Sequence, residues 1–330
     1  MSLQSTPPIT LNDIYQKALA NGYAGISTLS GLLAWNGWTN LSAGADSILD
    51  FLGVSTVAYT AIPDPNFEQA LINLGIDTNP VPDGQVLTAD INGVINLDIS
   101  VQNITDLTGI EDFTALQTLE CYSNQLTSLH LSANTNLTTL NCSGNQLMSL
   151  NLPASTALTI LECFSNDLTS LDLSANTNLT ALYCNNNLLS SLDISNNTAL
   201  TELHCFTNQL NSLDLSTNTA LQVLMCYDNQ LTDLDLSTNI VLTCVECWSN
   251  QLTSLDVSNS TALIALGCSD NQLITLHLSA NTSLTSLYCP SNPSLTCIEV
   301  ANAADANAGV GIYTTWQKDP GANYSENCGA

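Results

Sequence analysis

The side chains of this chain with chemical potential recur at a fixed interval. Nine cysteines (Cys121, Cys142, Cys163, Cys184, Cys205, Cys226, Cys247, Cys268 and Cys289) stand 21 residues apart. Thiols in such a column could bind metal, form disulfides or pack. Structural metal sites draw on short clustered spacings instead, and an in-register column of parallel side chains points the wrong way for bridging. A column of small buried apolar thiols is the expectation. A second column, Asp172, Asp193, Asp214, Asp235 and Asp256, reads as a solvated face, with loose divalent-cation binding as the alternative. His130 and His277 replace the aspartate in coils far apart and cannot meet, while His204 belongs to the other side. No serine has a partner base, and no glycine-rich phosphate loop occurs. Neither an enzyme nor a cofactor is expected.

The elements that carry these columns are coils. Leu116-Gln-Thr-Leu119-Glu-Cys121-Tyr-Ser-Asn124-Gln-Leu126 returns as Leu137-Thr-Thr-Leu140-Asn-Cys142-Ser-Gly-Asn145-Gln-Leu147, and so on through residue 295. A period in this range signals a solenoid whose coils share one continuous core, and L-x-x-L-x-L-x-x-N-x-L is the leucine-rich-repeat pattern. The predicted fold class is therefore a leucine-rich-repeat solenoid, mostly β with a parallel sheet and little helix, preceded by a small helical N-terminal domain. Neighbouring rungs should lie about 4.8 Å apart. Leu171-Asp-Leu173-Ser-Ala-Asn176 and its copies alternate apolar with polar, which predicts a second short extended side. Asn124, Asn145, Asn166, Asn187, Asn208, Asn229, Asn250 and Asn271 should form an inward ladder bonded to loop backbone.

Four regions follow. Residues 1–60 form a non-repeating head, with helices expected from near Leu11, over 26–35 and over 45–52; a stretch this short makes a marginal core, so an attachment or self-assembly role through another chain is expected. Residues 61–115 hold a cap helix, with Asp64 as its cap, Pro65 in its first turn and Gly75 as its stop, then an irregular first coil. Asp77, Asn79 and Asp83-Gly84 read as a capped turn, or as a calcium loop of irregular spacing. Residues 116–295 are nine repeats, and 296–330 a C-terminal cap in which Tyr313, Trp316 and Tyr324 cover the last coil.

From Ile62-Pro-Asp-Pro-Asn-Phe-Glu-Gln-Ala-Leu through Leu107-Thr-Gly-Ile-Glu-Asp-Phe to Ser325-Glu-Asn-Cys328, the chain resembles the short leucine-rich-repeat surface proteins of Bacteroidetes and is internalin-like. The resemblance is specific for fold and weak for function. Cys297 and Cys328, outside the ladder and bracketing the C-terminal end, are expected to be joined, as the resemblance also implies. Cys244 falls at a solvent-facing position and is a candidate exposed thiol. The resemblance implies an extracellular or cell-surface adhesion module. Such relatives carry a signal peptide and a sorting domain; Met1-Ser-Leu-Gln-Ser has no basic start or apolar run, and the sequence ends at Ala330. That departure favours an alternative, a phage virion surface protein using a host-like repeat array. A purely structural spacer is the third reading.

Charge narrows the partners. The chain has 29 acidic residues against Lys17 and Lys318, for a net charge of −27. That balance excludes a phosphate-neutralising nucleic-acid footprint and disfavours anionic membranes; no stretch is long enough to insert in a bilayer. On the repeated strand, the residues before and after each cysteine should point outward. Aromatics are only 5% of the chain, yet they gather there. Tyr183, His204, Phe206, Met225, Tyr227, Glu246 and Trp248 form the candidate contact face for a protein or glycan partner.

Overall fold

The computed structural model describes residues 58–152 and 157–329. The helices expected in the head lie outside the described residues.

The described chain opens with β1 (Tyr59–Ala61), paired to β2 (Gln85–Leu87). Between them runs α1 (Pro65–Asn73), built as its sequence dictates. Asp64 Oδ1 accepts the amides of Asn66 and Phe67, while Oδ2 accepts the amide and hydroxyl of Thr105, so the cap also ties the helix to the next coil. Against the upward push of burial, these bonds hold its carboxyl below the usual range. Gly75, at φ +70°, ends the helix. Phe67 and Leu71 are fully buried, and the Phe67 ring packs 6.2 Å from that of Phe113, covering the open end of the first coil. Asp77 Oδ1 accepts the Asn79 amide and Asn79 Nδ2 donates to Asp83 Oδ2, which is the capped turn.

One three-residue strand per coil then builds a parallel sheet. It runs through β3 (Asn96–Asp98), β4 (Thr118–Glu120), β5 (Thr139–Asn141), β6 (Ile160–Glu162), β7 (Ala181–Tyr183), β8 (Glu202–His204), β9 (Val223–Met225), β10 (Cys244–Glu246) and β11 (Ala265–Gly267). The sheet begins one coil earlier than residue 116, because Ile95-Asn-Leu97-Asp-Ile99 already carries the alternation; Leu97 pairs with Leu119. A constant 21-residue period leaves no freedom of register, so Leu119, Leu140, Leu161, Leu182, Leu203, Leu224, Val245 and Leu266 fall opposite one another. All are essentially inaccessible, as are the nine ladder cysteines. β12 (Thr275–His277) starts a second sheet with β14 (Cys297–Glu299) and β16 (Asn323–Ser325), while β13 (Ser286–Cys289) and β15 (Gln317–Lys318) complete the first, which has eleven strands. The altered last strand thus joins the opposite side of the solenoid from the repeated strands. Tyr313, Trp316 and Tyr324 pack over this end, with Tyr313 and Trp316 edge to face at 4.7 Å, and Cys297 is bonded to Cys328.

After each strand the chain turns a tight corner through a left-handed residue: Ser123, Ser165, Asn186, Thr207, Asp228, Ser249, Asp270 and Ser291, all at φ between 49° and 59°, with Gly144 in the same place. The asparagine that follows holds the corner. Asn187 Nδ2 donates to the carbonyls of Cys163 and Cys184, and its Oδ1 accepts the Leu168 amide. The same three bonds recur at Asn145, Asn166, Asn208, Asn229, Asn250 and Asn271, each spanning two coils.

The second side differs from the expectation. Leu171-Asp-Leu173 and its central copies form no ladder; among the described residues, pairing on that side is confined to isolated bridges, His130 to Asn151 and Asp256 to His277, and to β12, β14 and β16. On the exposed side of this segment Asp172 Oδ1 accepts both the amide and the hydroxyl of Ser174, and Asp193 does the same with Ser195. This local turn does not itself preclude pairing, since Asp98 of β3 bonds Ser100 in the same way. Those bonds hold the carboxyls of Asp172, Asp193, Asp214 and Asp235 below their usual range, which keeps the column charged on its exposed side.

A further ladder was not anticipated. Asn134, Asn197, Asn218, Asn239 and Asn281 are buried, with Asn218 Nδ2 donating to the carbonyls of Ile194 and Asn197. The recurring Leu-Asp-Leu-Ser-x-Asn carries its signal. Among the described residues Ser260 takes the place once, bonding the Asn239 carbonyl.

Candidate binding face

The third residue of each strand and the residue after the cysteine make two parallel columns on the sheet's outer side. Glu162, Tyr183, His204, Met225 and Glu246 follow one another rung by rung in the first. Phe206, Tyr227 and Trp248 follow in the second, at the corners. All seven residues predicted for the face come together there. Phe206 and Tyr227 stack with ring centroids 4.2 Å apart and planes 12° apart; Tyr227 and Trp248 repeat this at 4.0 Å and 12°. Tyr183 meets His204 edge to face at 4.7 Å, and His204 lies 6.2 Å from Phe206, which joins the columns.

Two expectations need correction. The rings are half-buried rather than freely exposed, because each covers the next. Small residues in the same columns are covered too: Ser143, Asn185 and Ser269 are buried, since neighbouring side chains of the column stand taller. Cys244 is likewise half-buried, between Val223 and Ala265 on the adjoining strands. Burial pushes its thiol up, as it does those of the ladder; Cys142, Cys184 and Cys247 reach about 12. Thiols held protonated in this way are poor nucleophiles and poor metal ligands.

The electrostatics of the face are those of half-buried acids. Burial pushes the carboxyls of Glu162 and Glu246 above the usual range. Glu120 is raised by burial and by the charge of Glu162. Burial raises the Tyr183 hydroxyl to about 12, reinforced by its bond to Glu202. His204 Nε2 lies 3.0 Å from Glu202 Oε1, off line for a hydrogen bond, and burial lowers its imidazole against the pull of that carboxylate. His277, on the other side, meets Glu299 at 2.9 Å. Gly267 was not singled out from sequence, yet it shapes the face: the Glu246 carboxylate folds into the space where a Gly267 Cβ would stand. No group of three or more His, Cys, Asp or Glu side chains among the described residues is arranged to hold a metal ion. Nor is any helix there long and apolar enough to cross a membrane.

A stack of 21-residue coils with one parallel strand each, an asparagine at each corner and an exposed strand face is the architecture of a leucine-rich-repeat protein. Within that class the chain belongs to the internalin-like family. The functional domain of InlJ from Listeria monocytogenes, which includes a cysteine ladder, is 32% identical at a TM-score of 0.57, over 74% of this chain and 67% of that one. The Leptospira interrogans leucine-rich-repeat protein LIC12759 shares the fold at 22% identity and a TM-score of 0.61, over 70% of this chain and 62% of that one. The leucine-rich-repeat domain of APL1B is 26% identical at a TM-score of 0.52, over 60% of this chain and 61% of that one. This chain therefore spans roughly two thirds of the length of each. No family model and no curated protein matches it.

Proposed function

We propose that this chain is a non-enzymatic, extracellular or cell-surface recognition protein, whose rigid solenoid presents the strand face built on Phe206, Tyr227 and Trp248 to a protein or glycan partner. One observation carries the reading: three aromatic rings stand in register on the solvent side of the sheet, and Tyr183, His204 and Met225 extend the same patch. Solenoid strand faces are extended binding surfaces, and clustered aromatics dominate contact energies. Residues 1–60 supply the anchoring or assembly function in this reading.

The test is a paired selection. A random peptide display library and a glycan array are probed with the wild-type chain and with the double variant Phe206→Ala, Trp248→Ala. Ligands retained by the wild type and lost by the variant support the reading. Ligands held equally by both would place recognition elsewhere.

A further inference from the structure

Glu162 and Glu246 bracket Tyr183, His204 and Met225 in the first column, four rungs apart. At one strand spacing per rung that is about 19 Å. The Glu202 carboxylate between them is engaged by Tyr183 and lies against His204. Neither Glu162 nor Glu246 is paired with a cation among the described residues, whose single Lys or Arg is Lys318. Lys318 is engaged at the C-terminal end, with Nζ 2.6 Å from the Ala322 carbonyl and 5.2 Å from the centre of the Tyr324 ring. The Glu246 carboxylate lies at its end of the patch in the opening over Gly267.

The neighbouring stack restricts what can lie between the two charges. Centroid separations of 4.0 and 4.2 Å with near-parallel planes mean that Phe206, Tyr227 and Trp248 turn their faces to one another along the solenoid axis. A flat sugar ring needs a free aromatic face. Along its length this stack offers edges, whose partial positive charge suits backbone carbonyl oxygens and the faces of other rings. Edges flanked by unpaired carboxylates fit a peptide better than a neutral glycan.

We propose that the face binds an extended peptide segment of a partner protein, laid along the solenoid axis, with Lys or Arg side chains at positions i and i+6 meeting Glu162 and Glu246 and apolar side chains at i+2 and i+4 over Tyr183 and Met225. This rests on the reading of the strand face as a recognition surface. The spacing follows from strand geometry: six residues at about 3.3 Å each span about 20 Å, and even offsets place the side chains on one side.

The experiment uses two fluorescein-labelled nonapeptides of identical composition, with arginines six apart or three apart among alanine, leucine and serine. Anisotropy is followed on the full chain at near-physiological salt, where long-range attraction between exposed charges is largely screened. The six-apart peptide should bind about tenfold more tightly, from charge-assisted bonds made at both ends rather than one. Glu162→Gln and Glu246→Gln should each remove that advantage. The pair Asp193→Asn, Asp214→Asn, an equal loss of charge on the other side of the coil, should leave it in place. Gly267→Ala, which displaces the Glu246 carboxylate without altering charge, should weaken the six-apart peptide alone. Equal binding of the two peptides, or equal sensitivity to the aspartate pair, overturns the proposal, since attraction would then follow total charge. If neither peptide binds but chitohexaose or another neutral oligosaccharide does, and Phe206→Ala with Trp248→Ala abolishes it, the cationic-segment proposal fails while the recognition face stands. If no probe separates wild type from that double variant, the recognition reading fails as well.

Discussion

Tyr227 lies face to face with Trp248, ring centroids 4.0 Å apart, closer than the rungs that carry them. Parallel strands are about 4.8 Å apart, so the rings must tip together to close the gap. The stack is thus a packed object on the solvent side of the sheet, with a stability of its own.

That relation sets the first expectation. Each stacked pair should contribute about 0.5–1.5 kcal/mol beyond its buried area. Tyr227→Ala breaks two pairs and should cost about 1–3 kcal/mol, while Phe206→Ala and Trp248→Ala break one stacked pair each and should cost about half as much. Urea unfolding of the three variants checks the order. Trp248→Ala and Phe206→Ala should also weaken partner binding by about 1–4 kcal/mol, and Asp193→Asn, on the other side of the coil, should leave binding unchanged.

The corner ladder carries a larger load. Asn187→Ala leaves the carbonyls of Cys163 and Cys184 and the amide of Leu168 without the partner they have in the folded chain. A buried group so orphaned costs about 1–3 kcal/mol. Asn187→Asp should be worse, because it keeps the acceptor but sets a carboxylate against two carbonyl oxygens. Chemical denaturation should rank wild type above Asn187→Ala above Asn187→Asp; an aspartate variant as stable as wild type would refute the assigned bonding.

Thiol chemistry gives an independent count. Ten cysteines are free and nine of them are buried. Under native conditions a thiol reagent should modify Cys244 alone among the described cysteines, and slowly, because burial raises its thiol. Denaturation should release the nine ladder thiols, and reduction then Cys297 and Cys328. Extensive ladder oxidation in the native protein would contradict the packing account. Cys205→Ser should destabilise by about 1–3 kcal/mol through a buried hydroxyl.

Stability should peak at mildly acidic pH. Glu120, Glu162 and Glu246 are raised by burial, so their contribution is complete below the ordinary carboxyl value of 4.5 and is lost as pH rises through their folded values. His204 is lowered from 6.5, so its contribution is present above that value and is lost as pH falls through the folded one. The exposed aspartates bonded to serines, lowered from 3.8, likewise contribute above 3.8 and lose it as pH falls further. Three glutamates and the self-repulsion of a net charge of −27 outweigh one histidine. In low salt, Tm should be higher near pH 5 than above neutrality, and added salt should narrow the gap. Replacing the three glutamates by glutamine should narrow it too. A higher Tm above neutrality in low salt would contradict this assignment.

Much of this was legible in the residues, for definite reasons. A period of 21 without a slip fixes the register of every coil, and with it the burial of Cys205 and the bonding of Asn208. Asp64, Pro65 and Gly75 announce α1 through local chemistry alone. The two outward columns of the face follow from strand alternation around each cysteine. What lies between side chains was less legible. Alternation in Leu171-Asp-Leu173 suggested a strand, but the coils do not pair there, and alternation alone does not report whether neighbouring backbones meet. The tipping of Phe206, Tyr227 and Trp248 into a stack depends on rotamers. The role of Gly267 appears only once Glu246 is seen lying across it.

The most direct test of the recognition face compares three proteins on one panel of selected peptide or glycan ligands: the full chain, the chain carrying Phe206→Ala and Trp248→Ala, and residues 61–330 alone, which fall within the compact unit Thr60–Ala330. Binding should persist in the fragment and be lost in the double variant. Binding that survives the aromatic changes but disappears with residues 1–60 would contradict the account, because the head would then be the recognition element and the solenoid its support.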